Sequence, residues 1–134
     1  RVHSLEDLLA QSDAVSLHAP YTTETHHMIN ARTLSCAKPG LLLINTARGP
    51  IVDPDALYHA LKEGVICYAA LDVTEPEPIP MDHPLLTLPN LIIAPHIASA
   101  TMATRLKMAQ LAAQNLIAFF ATGKAVTPLN EVTA

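Results

Sequence analysis

Four short apolar runs, separated by segments with helical spacing, dominate the hydrophobic pattern of the chain. They lie at Ala14–Pro20, Leu41–Ala47, Val65–Val73 and Leu91–Pro95. Each run is almost continuously apolar, which is typical of parallel strands that are covered on both faces. Strands that alternate with helices favour a parallel α/β sheet, and the predicted order of elements is α-β-α-β-α-β-β-α.

Capping signals locate two of the helices between these runs. Ser4 is placed to cap a first helix, "LEDLLAQ", with Asp7 at the capping-box position. Asp53 is placed to cap a second helix, "PDALYHALKE", with Pro54 at its first position and Gly64 just past its end. These signals predict helices that begin directly after a loop and end before the next strand.

The longest helix is predicted near the end of the sequence. Ser99 or Thr101 opens it, it runs to about Ala121, and Gly123 closes it. One stripe of its surface carries Met102, Leu106, Ala109, Ala113, Leu116 and Phe120. The remaining elements are a short helix over Ala31–Ala37 and a proline-rich loop over Thr74–Pro84.

Composition narrows the class of protein. The 134 residues suit one domain, half of them are apolar, and the net charge of −4 gives no reason to expect a nucleic-acid partner. The apolar runs are far shorter than the roughly 20 residues of a membrane span. Cys36 and Cys67 are interpreted as packed, reduced thiols, so a cytoplasmic location is expected. The first residue, Arg1, suggests a segment of a larger protein.

Polar side chains follow three of the predicted strands. Arg48 follows the second, Asp72 and then Glu77 follow the third, and His96 follows the fourth. Ligands of open α/β sheets bind beyond the carboxyl ends of the strands, so we expect these groups to converge on one cleft. There Arg48 would bind a carboxylate through two hydrogen bonds, and His96 would move a proton. Glu77 would orient the His96 ring and favour its charged form.

Each of these residues also has a purely structural interpretation. A histidine after a strand is often just hydrogen-bonded, and an arginine there is often one half of an ion pair. Asp72 would then cap a turn, and Glu77 would be a solvated loop carboxylate. Only the joint placement of the residues at strand ends favours a functional site.

No other chemistry stands out. The chain has seven histidines, but His26 and His27 are adjacent and are interpreted as neighbours on a surface turn. No H-E-x-x-H motif occurs, and the cysteines lack C-x-x-C spacing, so no metal site is predicted. The sequence also lacks the G-x-S-x-G elbow of hydrolases and the P-loop of NTPases.

Three segments in succession, "INTARGPIVD", "ALDVTEPEP" and "APHIASAT", resemble the signatures of the D-isomer-specific 2-hydroxyacid dehydrogenases. The segment "HPLLTLPNLIIAPHIASAT" is most similar to the glyoxylate/hydroxypyruvate reductase branch. The resemblance implies a Rossmann-like parallel sheet with flanking helices, namely the second half of a nucleotide-binding domain over residues 1–134. It also implies a long exit helix over about residues 99–122.

The resemblance implies an activity as well: hydride transfer between NAD or NADP and a small 2-keto acid such as glyoxylate or hydroxypyruvate. Arg48 would bind the substrate carboxylate and polarise the ketone. His96 would bind substrate and act as the general acid, with Glu77 as its partner. The positions that line the cofactor would be Pro20, Thr46, Ala47, Asp72, Ala98 and Ser99.

Two departures from the family pattern qualify this expectation. No G-x-G-x-x-G occurs among these residues, so the pyrophosphate site is absent and weak or no turnover is expected of the chain alone. Ala98 stands where many relatives carry glycine, and its methyl group would narrow the approach to the nicotinamide. A non-catalytic, dinucleotide-sensing or protein-interaction module of the corepressor kind is the alternative. The first strand would leave an exposed edge and an uncovered apolar face, so a homo-oligomer such as a dimer is expected.

Overall fold

Four parallel strands form the sheet. A computed structural model describes residues 2–129. The strands lie side by side in the order β1 to β4, and every neighbouring pair is parallel. The predicted parallel α/β sheet is therefore confirmed, although each strand is shorter than its apolar run. The bounds are β1 Ala14–Leu17, β2 Leu42–Asn45, β3 Tyr68–Leu71 and β4 Leu91–Ile93.

The helices begin at the predicted caps. The Ser4 hydroxyl accepts a hydrogen bond from the Asp7 N–H at 3.0 Å, and the Asp53 carboxylate accepts from two N–H groups of its helix. Thr101, not Ser99, caps the long helix, and Gly123 ends it with a φ of 75°. The helices are α1 Leu5–Gln11, α2 Ala31–Leu34, α3 Pro54–Lys62 and α4 Met102–Thr122, with 3₁₀ turns at Gly49–Ile51 and Pro84–Thr87.

One face of the sheet carries the core. Alternate residues of each strand point into this core, and α1, α2 and α3 pack against the same face of the sheet with their apolar side chains. Each fully buried leucine stabilises the fold by about 1.5–3 kcal/mol relative to an exposed one. The buried residues include Leu9, Val15, Leu17, Leu34, Leu43, Leu57, Leu61, Ala69 and Leu71.

The opposite face of the sheet is exposed. Leu42, Tyr68 and Ile92 point to this side and keep 40%, 54% and 71% of their surface accessible. The expectation of strands covered on both faces is therefore wrong for the described residues. An apolar run predicts that a strand is buried, but it does not identify the element that covers each face of the sheet. Cys36 and Cys67 are free and exposed, so the expectation of packed thiols is also wrong.

The chain forms two compact units. The first ends at His96 and contains the sheet with α1, α2 and α3, and the second begins at Ile97 and contains α4. Within the second unit, the Asn115 carboxamide accepts a hydrogen bond from the Thr127 N–H at 2.9 Å, which holds the segment after α4 against the helix. None of the described helices is both long and apolar enough to cross a membrane.

Candidate active site

A buried asparagine shapes the loop after β2. The Asn45 side chain is fully buried; its Nδ2 donates to the Arg48 carbonyl at 2.9 Å, and its Oδ1 accepts from the Ala47 N–H at 3.0 Å. These two bonds satisfy the buried amide and fold the chain tightly after the strand. Asn45 therefore fixes the backbone that carries Arg48. Asn45 is not among the residues predicted from the sequence, although a polar residue inside an apolar run was the available signal.

The Arg48 guanidinium lies at the open end of β2. Its Nη1 donates to the Ala47 carbonyl at 2.6 Å, and the side chain is exposed. Across residues 2–129 it joins none of the ion pairs, so the purely structural interpretation of this arginine has no support there. Arg48 lines an open cleft of 620 Å³ together with Pro20, Thr46 and Ala47. A guanidinium at such a cleft suits a carboxylate ligand.

Gly49 lets the loops after β2 and β3 approach each other. A Cβ at this position would lie 1.9 Å from the Thr74 carbonyl oxygen and 2.3 Å from its carbonyl carbon. Only glycine fits where two backbones come this close. The close packing of the loop after β2 on the loop after β3 therefore requires a glycine directly after Arg48.

His96 and Glu77 form an ion pair at the end of β4. His96 Nδ1 lies 2.6 Å from Glu77 Oε1, and the two side chains are 48% and 42% exposed. The pairing anticipated from the strand ends is present in the structure. The peptide bonds Glu75–Pro76 and Glu77–Pro78 in the loop that carries the glutamate are cis.

The backbone of His96 adopts a left-handed conformation. Its φ is 55°, and its N–H donates to the Ala94 carbonyl at 3.0 Å. This conformation costs a residue with a Cβ roughly 1–2 kcal/mol. Such strained residues are concentrated at active sites and ligand clamps, where surrounding contacts hold them. The strain therefore favours a functional role for this histidine over a merely structural one.

A second cleft contains the other predicted residues. It measures 260 Å³ and is lined by Asp72, Glu77 and His96, with apolar neighbours from the ends of β3 and β4. Asp72 is buried, and its N–H donates to the Asn45 carbonyl at 2.9 Å. The predicted residues of the first unit thus line two clefts at the carboxyl edge of the sheet. Their convergence on one ligand remains a prediction.

The remaining predicted positions lie in turns. Pro20 begins the turn after β1, and its carbonyl accepts a hydrogen bond from the Thr25 hydroxyl at 2.8 Å. Hydrogen bonding from the Thr22 side chain in this turn lowers the pKa of the Glu24 carboxyl below its usual value. Ala98 and Ser99 belong to the second unit, in a turn that precedes α4. Their contact with a cofactor remains a prediction.

Comparison with known families decides the class of the chain. Residues 1–98 match the family described as D-isomer specific 2-hydroxyacid dehydrogenase, NAD binding domain. The chain belongs to this family. The motifs that contain Arg48, Glu77 and His96 are therefore those of a dehydrogenase domain, and the resemblance drawn from the sequence is confirmed.

Individual 2-hydroxyacid dehydrogenases match closely. A glyoxylate reductase from Thermofilum pendens is 58% identical over 114 residues, which cover 85% of this chain and 34% of that protein. A glyoxylate/hydroxypyruvate reductase B from Pectobacterium carotovorum is 53% identical, covering 85% of this chain and 36% of that protein. The chain thus spans about a third of the length of these relatives.

Solved structures confirm the Rossmann-type fold. The crystal structure of an NADPH-dependent glyoxylate/hydroxypyruvate reductase from Sinorhizobium meliloti, in complex with NADP and malonate, superposes with a TM-score of 0.87. It is 41% identical, and the match covers 94% of this chain and 39% of that one. The sheet with its flanking helices is therefore a dehydrogenase nucleotide-binding fold.

The first cleft fits one end of a dinucleotide. Small side chains and backbone at Pro20, Thr46 and Ala47 leave an open space of 620 Å³ at the ends of β1 and β2. Ligand pockets are typically concave with a few polar or charged groups at set places, and Arg48 is the charged group of this cleft. The family resemblance assigns Pro20, Thr46 and Ala47 to the nicotinamide end of the dinucleotide, and their contact with it remains a prediction.

Proposed function

We propose that the protein containing this chain is an NAD(P)-dependent reductase of small 2-keto acids such as glyoxylate or hydroxypyruvate. The observation that carries this proposal is the His96–Glu77 pair, 2.6 Å apart, on a strained backbone at the carboxyl edge of a dehydrogenase sheet. The names of the relatives, glyoxylate reductase and glyoxylate/hydroxypyruvate reductase, support the substrate class.

The cofactor would lie along the carboxyl edge of the sheet. Pro20, Thr46 and Ala47 would line the nicotinamide and its ribose, and Asp72 would bind the carboxamide. Ala98 and Ser99 are the other two positions that the family resemblance assigns to the cofactor. When bound, NAD or NADP supplies the hydride in reduction and accepts it in oxidation. The chain itself would position the substrate and the cofactor, and it would supply a positive charge and a proton.

Arg48 would bind the substrate. Its guanidinium can donate two parallel hydrogen bonds to a carboxylate, which fixes the keto acid in one orientation. The same positive charge would stabilise the negative charge that develops on the ketone oxygen. The Asn45 amide donates to the Arg48 carbonyl at 2.9 Å and so holds the backbone from which this side chain extends.

His96 would donate the proton. Glu77 contacts Nδ1, which leaves Nε2 as the ring nitrogen that would donate to the substrate. As the carbonyl carbon gains hydride, the carbonyl oxygen takes a proton from Nε2, and the 2-keto acid becomes a 2-hydroxy acid. The negative charge of Glu77 stabilises the imidazolium before transfer and holds the ring in line.

A chimera tests this proposal. This chain would replace the corresponding third of the glyoxylate reductase from Thermofilum pendens, to which it is 58% identical. We expect the chimera to reduce glyoxylate with NADH or NADPH, and His96→Ala to lower kcat by about 10²–10⁴-fold. His59→Ala is the matched control, since His59 pairs with Glu63 on the exposed surface of α3 and should leave kcat unchanged.

Two results would contradict the proposal. One is a chimera that binds dinucleotide and melts cooperatively but shows no turnover of glyoxylate or hydroxypyruvate, which would favour the dinucleotide-sensing alternative. The other is a His96→Ala chimera with the activity of its parent.

A further inference from the structure

We propose that His26, His27 and Glu75 form a binding site for a divalent transition-metal ion of the zinc type. The three residues each offer one ligand atom, and these atoms all lie within 4.8 Å of one another. The site is separate from the His96–Glu77 pair and plays no part in the proposed reduction. Glu75 follows His27 by 48 positions, so the spacing of histidines in the sequence could not reveal this site.

The two histidine rings are parallel neighbours. Their centroids are 3.9 Å apart with 22° between the planes. The Tyr21 hydroxyl lies 3.4 Å from Nδ1 of His26 and would orient that ring, as a second group bonded to a ligand histidine commonly does. One nitrogen of each ring lies within 4.8 Å of the other and of a Glu75 oxygen, so both rings can contribute a ligand atom to one ion after small rotations.

The backbone of His27 is fixed in an unusual conformation. Its φ is 47°, a left-handed value for a residue with a side chain. Its N–H donates to the Pro50 carbonyl at 2.9 Å, and its carbonyl accepts from Asn30 Nδ2 at 2.8 Å. These bonds on both sides hold the strained residue, which directs its ring at Glu75. Local strain of this kind is concentrated at ligand clamps.

The third ligand comes from the loop after β3. Glu75 Oε2 lies 2.7 Å from Nε2 of His27, and the two side chains are about one-third exposed. Ligand atoms around a tetrahedral zinc ion are about 3.3 Å apart, given bonds of about 2.0–2.1 Å. Small side-chain rotations would therefore admit an ion between the histidine and the carboxylate.

The ligand set selects the class of metal. Two imidazoles and one carboxylate suit Zn²⁺, Ni²⁺ or Cu²⁺, whereas Mg²⁺ and Ca²⁺ prefer oxygen ligands alone. Three protein ligands leave a position for water. The ion would link the turn after β1 to the loop after β3, and binding to the folded state would raise the melting temperature.

Calorimetric titration of the chain with Zn²⁺, and separately with Mg²⁺, tests the proposal. We expect one equivalent of Zn²⁺ at micromolar or tighter affinity, no measurable Mg²⁺ binding, and a rise in Tm with Zn²⁺. His26→Ala should weaken Zn²⁺ binding at least about tenfold. This variant spares the His27–Glu75 ion pair and should therefore still fold.

Two further variants separate this site from other metal-binding groups. His59→Ala removes a histidine that lies 3.4 Å from a single carboxylate, Glu63, and should leave the affinity unchanged. The double variant Cys36→Ser, Cys67→Ser removes the exposed thiols and should also leave it unchanged. Co²⁺ would give a visible spectrum without thiolate bands.

Several outcomes would overturn the proposal. They are the absence of stoichiometric Zn²⁺ binding, unchanged affinity in His26→Ala, loss of binding in the cysteine variant, or equal affinity for Mg²⁺. Any of these would leave His27 and Glu75 as an ordinary ion pair.

Discussion

Gly49→Ala should strongly destabilise the fold because of a single backbone contact. The added methyl carbon would lie 1.9 Å from the carbonyl oxygen of Thr74, 2.3 Å from its carbonyl carbon and 3.0 Å from the Glu75 nitrogen. All three atoms belong to the main chain, so no side chain can rotate away. Gly49 is also buried, so the methyl group cannot escape into solvent.

The magnitude follows from the displacement required. Ordinary carbon contacts begin near 3.4 Å, so the two loops must separate by at least about 1 Å. Overpacking of this kind typically costs about 1–3 kcal/mol of folding free energy and occasionally more. Because the neighbouring atoms are backbone and cannot rotate away, we expect Gly49→Ala to cost about 3 kcal/mol. For a domain of this size each kcal/mol lowers Tm by roughly 3–5 °C, so we expect a fall of roughly 10–15 °C.

Thermal unfolding followed by circular dichroism or calorimetry measures this effect. Gly64→Ala is the matched control, since Gly64 has a φ of 73° and nothing within 4 Å of the new methyl group. That variant carries only the cost of a left-handed backbone, about 1–2 kcal/mol. A Gly49→Ala protein that melts at or above the Tm of Gly64→Ala would refute the packing argument.

Three further predictions concern binding, assembly and substrate recognition. Because no glycine-rich loop holds the pyrophosphate, the 134-residue chain alone should bind NADH and NADPH weakly, and calorimetry that gives a low-micromolar Kd would contradict this. The exposed sheet face at Tyr68 and Ile92 should drive self-association, which Ile92→Lys should reduce; sedimentation of the parent as a monomer at high concentration would argue against it. In the chimera, Arg48→Lys should raise KM for glyoxylate and lower kcat, since an ammonium cannot reproduce the two-pronged contact. Kinetics close to those of the parent would show that Arg48 does not hold the carboxylate.

The order and type of the elements were predictable from local signals. Apolar runs located all four strands, and the caps at Ser4 and Asp53 located the starts of α1 and α3. These signals act within a few residues, so one sequence suffices to find them. Whether each face of the sheet is covered depends on distant parts of a protein. That is why the apolar runs alone did not predict the exposed face at Leu42 and Tyr68, whereas the partial match to the family did predict an uncovered apolar face.

The candidate site was predictable only in part. The rule that ligands bind beyond strand ends identified Arg48, Glu77 and His96 together, and the structure brings the last two to 2.6 Å. The role of Asn45 in holding the Arg48 loop depends on a buried amide whose bonds sequence spacing does not encode. The approach of Thr74 to Gly49 likewise depends on how two loops pack. The approach of Thr74 to Gly49 is a tertiary contact, and the Asn45 bonds, although they span only two and three residues, depend on how tightly the loop turns.

A double-mutant cycle on His96 and Glu77 in the chimera tests the central claim most directly. The measured quantity is kcat for glyoxylate reduction in the parent, His96→Ala, Glu77→Gln and the double variant. If Glu77 acts through His96, Glu77→Gln should lower kcat by about tenfold or more in the parent, since contacting residues couple by about 0.5–3 kcal/mol. The same change should have almost no effect once His96 is alanine. Equal losses in both backgrounds would show that the carboxylate acts independently of the histidine, and the proposed proton-donating pair would be wrong.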